Sequence, residues 1–121
     1  MFSISSIMFS SVLALAGRSA AHSFYGNAIP YGEGVKVTSC NCDNVPVGGA
    51  AFAASLTPMI GDDLCCKQVT VGTGATQVKT IFKDICDSGC DLHDVALETE
   101  SWSSFTDAKK GPIPVFWTSE E

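Results

Sequence analysis

Apolar and polar residues alternate most cleanly in two stretches near the middle of the chain. Residues 67–71 (KQVTV) and 76–85 (TQVKTIFKDI) change face at almost every step and are rich in β-branched side chains, the pattern of half-buried strands. Between them Gly72-Thr73-Gly74-Ala75 reads as a hairpin turn, with its glycines expected to supply positive φ. Residues 35–38 (VKVT) alternate as a further strand running into Cys40, and residues 113–118 (IPVFWT) as a last one. Residues 43–49 carry turn chemistry and lead into a run of small residues, 50–56. Residues 23–34 (SFYGNAIPYGEG), rich in Gly, Tyr and Asn, predict an irregular arm with a short strand. Asp94 is placed as an N-cap for a helix over 95–105, in which Val95, Trp102 and Phe105 share a face and which Gly111-Pro112 terminates. Short strands with one late helix predict a small β-barrel against which that helix packs.

The start of the chain follows another pattern. Residues 2–16 (FSISSIMFSSVLALA) are apolar and serine-rich without a charge, and Ser19-Ala20-Ala21 places small residues before a cut at His22. This predicts a secretory signal peptide, residues 1–21, too short and too weakly flanked to span a membrane. No Lys or Arg precedes its apolar core, a departure from the usual leader. The mature protein is then expected to be one secreted domain, residues 22–121.

Composition narrows the partners. Of the 121 residues 45% are hydrophobic and 17% charged, which excludes a charge-rich disordered tail. Without the leader and its Arg18, six lysines face thirteen acidic residues, a net charge of −7 with no arginine. Such a surface repels nucleic acid, anionic membranes and de-esterified pectin. Neutral polysaccharides, cationic surfaces and proteins remain.

All six cysteines, Cys40, Cys42, Cys65, Cys66, Cys86 and Cys90, lie in the expected mature part, and an even number in a small secreted chain predicts three disulfides. Six cysteines allow about 15 connectivities. Cys65 and Cys66 are chain neighbours with Cα atoms about 3.8 Å apart, below the usual disulfide span. Each is expected to bond elsewhere, tying the central strand to the Cys40/Cys42 turn and to the Cys86/Cys90 loop. A zinc site of Cys86, Cys90 and His93 is the competing reading, disfavoured in an oxidising compartment.

The C-terminal half resembles the double-psi β-barrel of the expansin, loosenin, barwin and RlpA-like group. Those proteins carry a strand ending in an Asp-x-Cys loop, then Asp-Leu-Ser, then Gly-Val-Ile-x-Val-x-Trp. Here stand Phe82-Lys83-Asp84-Ile85-Cys86-Asp87-Ser88-Gly89-Cys90, Asp91-Leu92-His93 and Gly111-Pro112-Ile113-Pro114-Val115-Phe116-Trp117. Upstream, Cys65-Cys66-Lys67-Gln68-Val69-Thr70-Val71 is similar to the family's Cys-Gly-Lys-x-Val-x-Val strand. The likeness covers residues 50–118 well and 22–49 poorly. It implies a six-stranded double-psi barrel, disulfide-stapled, with one late helix.

The resemblance also implies that Asp91 matches the family's polysaccharide-contacting or catalytic aspartate and that Asp84 is its neighbour. Paired acids beside a groove are what sugar chemistry uses, one protonated and one ionised. The plainer alternative has Asp84 capping a turn and Asp91 accepting backbone N–H groups near the helix start. There are departures: His93 replaces the serine, the spacer before Asp91 is missing, and the family's Gly-Ala-Cys-Gly-Trp has become Thr38-Ser39-Cys40-Asn41-Cys42. The lost tryptophan removes a stacking platform, for which Tyr25 and Tyr31 are the substitutes. Trp102 and Trp117 read as core. A chain beginning at His22 also raises a copper site of His22 and His93, against which the barrel motifs weigh.

The expectation is therefore a secreted, monomeric, non-catalytic expansin-like or loosenin-like protein that binds cell-wall polysaccharide through Asp91, Asp84, Tyr25 and Tyr31 and needs no cofactor. The alternative is a secreted effector or inhibitor that binds a protein partner, from a host for example, through its barrel loops. A glycoside hydrolase or lytic enzyme comes third, because no second acid across the groove is identifiable.

Overall fold

The structure, a computed structural model, describes residues 21–32, 34–105 and 111–120. The expected signal peptide lies outside the described residues except for Ala21. Along these residues run β1 (His22–Pro30), β2 (Lys36–Ser39), β3 (Ala50–Ala53), α1 (Leu56–Ile60), β4 (Gln68–Gly72), β5 (Gln77–Ser88), β6 (Val95–Leu97), α2 (Thr99–Trp102) and β7 (Ile113–Ser119). Among them no helix is long and apolar enough to cross a membrane.

The twelve-residue β5 organises the sheet. The strand order is β2-β5-β3-β6-β1-β7-β4, and β4 pairs back onto β5, so six strands close a barrel and β2 flanks it. One edge of β5 carries β3, in parallel. The other carries β4 against Gln77 to Ile81 and then β2 against Asp84 to Ser88, both antiparallel. The change of partner falls at two consecutive carbonyls: Phe82 O accepts the Cys66 N–H at 2.7 Å and Lys83 O accepts the Cys40 N–H at 2.8 Å.

The disulfides fasten that junction. Cys40 bonds Cys65 and Cys42 bonds Cys66, joining the start of β4 to the end of β2. The third bridge, Cys86–Cys90, closes a short loop on itself. Cys65 and Cys66 thus avoid each other as expected, but neither reaches the Cys86/Cys90 loop. That loop leaves the far end of β5, whereas Cys65 and Cys66 enter beside its middle. With both sulfurs of Cys86 and Cys90 in a disulfide, the zinc reading of Cys86, Cys90 and His93 loses its thiolates.

Inside the barrel Trp117, Phe52, Phe82, Leu97, Val69, Val71 and Val95 are completely buried. Phe82 meets Phe52 and Trp117 edge-on, with ring centroids 5.1 and 5.5 Å apart, the geometry that aromatic quadrupoles favour. The Trp117 indole N–H donates to the His93 carbonyl at 2.8 Å, so its burial leaves no unmet donor. Trp102 packs against this core from outside.

One irregularity decides which side chains face out. Ala50 pairs with Phe82 but Ala51 pairs with Asp84, so Lys83 is an extra residue at a bulge. In a regular strand Phe82 and Asp84 would share a face. The bulge instead leaves Phe82 in the core and moves Asp84 to the outer wall with Cys86, over Ala51 and Ala96.

Several expectations are corrected. Residues 23–34 are no irregular arm: β1 is a full barrel strand between β6 and β7. Phe24 and Ala28 face the core, but Gly26 and Asn27 obscure the alternation in the sequence. Gly26 is demanded by contact, since a Cβ there would lie 2.0 Å from the His93 carbonyl oxygen. The expected helix over 95–105 is a buried strand, β6, followed by the single turn of α2. Val95, Ala96 and Leu97 are paired on both edges, by β1 and β3, and this overrides their helical spacing. Asp94 caps no helix; α2 begins after Glu98. Residues 50–56 supply β3 and then α1, a second helix. In the hairpin, Gly72 and Gly74 are not at positive φ; the Thr73 hydroxyl shapes the turn by accepting the N–H groups of Ala75 and Thr76 at 3.2 Å.

The disulfide pairing is testable by tryptic digestion without reduction. Cleavage after Lys36, Lys67, Lys83 and Lys109 leaves Cys40, Cys42, Cys65 and Cys66 in one peptide and Cys86 and Cys90 in another. The two peptides are expected to appear separately, short by four and two hydrogens respectively. A cross-linked pair of them would overturn this pairing.

Candidate functional site

Two groups of predicted site residues lie on the outer wall of the barrel. In the first, Asp84 is buried to 6% exposure beneath Tyr31, whose hydroxyl donates to Asp84 Oδ2 at 2.7 Å. Burial, with the hydrogen bond to Asp84 second, raises the Tyr31 pKa far above that of a free tyrosine. Tyr31 therefore remains a donor, and Asp84 is covered rather than presented.

Beside them Lys83 Nζ sits 4.0 Å from Asp84 Oδ2 and 2.6 Å from Glu98 Oε2. Glu98 Oε1 accepts the Gly49 N–H at 2.8 Å, and the Glu98 N–H donates to the Gly49 carbonyl at 3.0 Å. Burial pushes the Glu98 carboxyl up, but the Lys83 ammonium and the backbone N–H groups of Gly49 and Gly48 outweigh it and hold the pKa below the usual glutamate value. The hydrogen bond to Glu98 raises the Lys83 pKa in turn. Sequence reasoning missed Lys83 and Glu98. A lysine at a bulge and a glutamate after a strand carry no periodic signal, and only the pairing of β3 with β5 and β6 brings them together.

The second group centres on Asp91. Its side chain is exposed and makes no hydrogen bond among the described residues. Asp94 anchors its turn: Oδ2 accepts the Asp91 N–H at 3.0 Å, and Oδ1 accepts the Asn27 N–H of β1 at 3.3 Å. The backbone-accepting role thus belongs to Asp94, while Asp91 is left free. One carboxylate bridges the turn to β1, and Tyr25 stands two residues before Asn27 on the same outer face.

Tyr25 is 80% exposed and packs on Phe116 of β7, with ring centroids 4.8 Å apart and a 52° tilt. They flank a groove of about 670 Å3 that continues over Thr118 and Thr70 to the β4–β5 hairpin. Tyr31 lies on the other side, six residues along the chain, against Ala51, Cys86 and Ala96. The structure therefore joins Tyr31 with Asp84 and ties the Asp91 turn to the Tyr25 strand; the two tyrosines do not form one platform. Phe116 had a legible signal, since it alternates with the buried Trp117.

The two histidines hold separate positions. His22 Nε2 lies 3.2 Å from Asp62 Oδ2, and Asp62 also binds Lys67 Nζ at 3.0 Å. The hydrogen bond from Lys67, then that from His22, holds the Asp62 carboxyl below its usual pKa. His93 instead stacks on Phe24, with centroids 4.6 Å apart, and its buried Nε2 has no hydrogen-bond partner among the described residues. Among the described residues no three His, Cys, Asp or Glu side chains are grouped to hold a metal ion.

With the geometry in place, comparison with solved structures shows the fold to be a double-psi β-barrel, one that expansins and a papain inhibitor share. An expansin of Clavibacter michiganensis, a point variant in complex with cellohexaose, matches with a TM-score of 0.63 at 19% identity, over 81% of this chain and 50% of that one. The apo form of the Clavibacter expansin matches at 0.62 and 18% identity with the same coverage. A Streptomyces papain inhibitor matches at 0.62 and 19%, over 83% of this chain and 96% of that one. At these identities the likeness is one of fold. The chain spans about half the length of the expansin chains and nearly all of the inhibitor. No family model and no curated protein match it.

The ion pair makes a pH prediction. A depressed Glu98 pKa contributes stability that is present above the ordinary glutamate range and lost as pH falls through the depressed value. Glu98→Gln is expected to destabilise the fold by about 1 kcal/mol at pH 7, a Tm drop of about 4–8 °C, and to flatten the acid limb of Tm against pH. An acid limb identical to wild type would refute the coupling. At the alkaline end the raised Tyr31 pKa gives stability that is present below the ordinary tyrosine range, about pH 10, and lost above it. Tyr31→Phe should flatten that limb.

Proposed function

We propose that the protein is a secreted, non-catalytic, expansin-like or loosenin-like binder of cell-wall polysaccharide, matured by removal of residues 1–21 to a single monomeric domain, residues 22–121. The observation that carries this reading is the unequal state of the two aspartates. Asp91 stands free at the surface, whereas Asp84 is buried and accepts the Tyr31 hydroxyl. Glycoside hydrolysis uses two carboxylates facing the scissile bond, one on each side. One exposed carboxylate, on a turn that Asp94 ties to the strand of an exposed aromatic, suits binding: Asp91 accepts sugar hydroxyls and Tyr25 covers a sugar face. Such contacts loosen one polymer chain from another without breaking a bond. The expansin likeness, with its cellohexaose complex, supports this reading, and three disulfides suit an oxidising exterior.

A specific observation favours a second reading, a rigid effector or inhibitor of a protein partner. The papain inhibitor is matched over 96% of its length. The loop between β2 and β3 also presents Val47 at 78% exposure, between the Cys42–Cys66 bridge and the buried Gly48. A loop held at both ends loses little entropy on binding.

Co-sedimentation of the mature protein with insoluble cellulose, xylan and chitin, with released sugar assayed in the supernatant, separates these readings. Binding without sugar release is expected, and Asp91→Ala should weaken it about tenfold, the size of one charge-assisted hydrogen bond. Sugar release abolished by Asp91→Asn would make the protein an enzyme. Failure to bind all three polymers would leave the protein-binding reading.

A further inference from the structure

We propose that the groove between the Tyr25–Phe116 pair and the β4–β5 hairpin is a subsite for an uncharged polysaccharide chain, extending the Asp91 face across β7. This rests on the polysaccharide-binding reading above and names the substrate class. Register builds the groove. Tyr25 pairs with Phe116, and Phe116 pairs in turn with Gly72 of β4, so the residue flanking the Phe116 ring has no side chain. A depression is left there, closed at its far side by Gln77, whose Cγ would lie 3.0 Å from a Cβ on Gly72. Two residues along, on the same face, Thr118 pairs with Thr70 and bonds the Ser23 hydroxyl at 3.0 Å, which sets a row of hydroxyls beside the rings.

Two features identify the occupant. Tyr25 and Phe116 are 80% and 43% exposed, an apolar surface with a rim of threonine hydroxyls and the Gln77 amide. A pyranose has the complementary surface, C–H faces that stack on rings and hydroxyl edges that bond to such a rim. Charge is the second. None of the eleven lining residues is charged, on a chain whose expected mature form carries −7. Lys79, opposite Thr70 on β4, lies outside the lining. A polyanion finds no cation in the groove and a polycation no anion, so a neutral chain is the one that enters without an unpaired charge.

The test is titration of the 15N-labelled mature protein with cellohexaose, xylohexaose, a hexameric oligogalacturonate and chitosan hexamer, followed by amide NMR. The protein is compared with Tyr25→Ser/Phe116→Ser, whose near-UV CD and Tm check the fold. The neutral hexamers are expected to shift the amides of Thr70, Gln77, Phe116 and Thr118, and the double variant should bind them at least tenfold more weakly. Shifts confined to the Asp91 turn, with unchanged affinity in the folded variant, would overturn the groove and leave the polysaccharide reading intact. Tighter binding of either charged hexamer at the groove would overturn the neutral occupant. If no sugar shifts any amide and the insoluble polymers do not sediment the protein, both readings fall.

Discussion

The barrel depends on β5 being paired along both edges, and on the handover from β4 to β2 along one of them. β4 hydrogen-bonds the first part of β5 and β2 the last, with the change at the carbonyls of Phe82 and Lys83. A strand that changes partner midway brings two chain ends together, which raises the entropy lost on folding. The Cys40–Cys65 and Cys42–Cys66 bridges sit at that point. In a domain of this size, where burial alone gives a narrow margin, such cross-links restrict the unfolded chain at the place where the native topology is hardest to form.

The bulge at Lys83 is the second consequence of that crowded strand. It keeps Phe82 in the core between Phe52 and Trp117 and turns Asp84 outward under Tyr31. A carboxylate facing the aromatic interior would be an uncompensated charge in an apolar medium. On the outer wall Asp84 has a hydroxyl donor and an ammonium nearby, and Glu98 locks that ammonium to the backbone of Gly49. The same arrangement covers Asp84, whereas the exposed side chain of Asp91, whose backbone N–H is held by Asp94, makes no hydrogen bond among the described residues.

Much of the candidate site was legible, though not its grouping. Asp84, Asp91, Tyr25 and Tyr31 all lie on the outer wall, but as two sets: Tyr31 over Asp84, and Tyr25 on the strand that Asp94 ties to the Asp91 turn. Phe116 could be seen from its alternation with Trp117, whereas Lys83 and Glu98 could not. They lie on or just after consecutive strands, β5 and β6, that the sheet brings together only through β3 between them, and no local period encodes that meeting.

By itself the sequence determined the barrel class, the strands β2, β4, β5 and β7, the hairpin between β4 and β5, the avoidance of a Cys65–Cys66 bridge and the net negative charge. These follow from local alternation, turn chemistry and covalent geometry, which act over a few residues. Only the tertiary structure decided that residues 22–30 are a barrel strand, that residues 95–97 extend rather than coil, and which cysteines meet. Each is set by pairing with distant strands. The free energy of closing hydrogen-bond ladders on both edges exceeds the small helical preference of a segment such as Val95-Ala96-Leu97, so the partner strand, not the local pattern, selects the conformation.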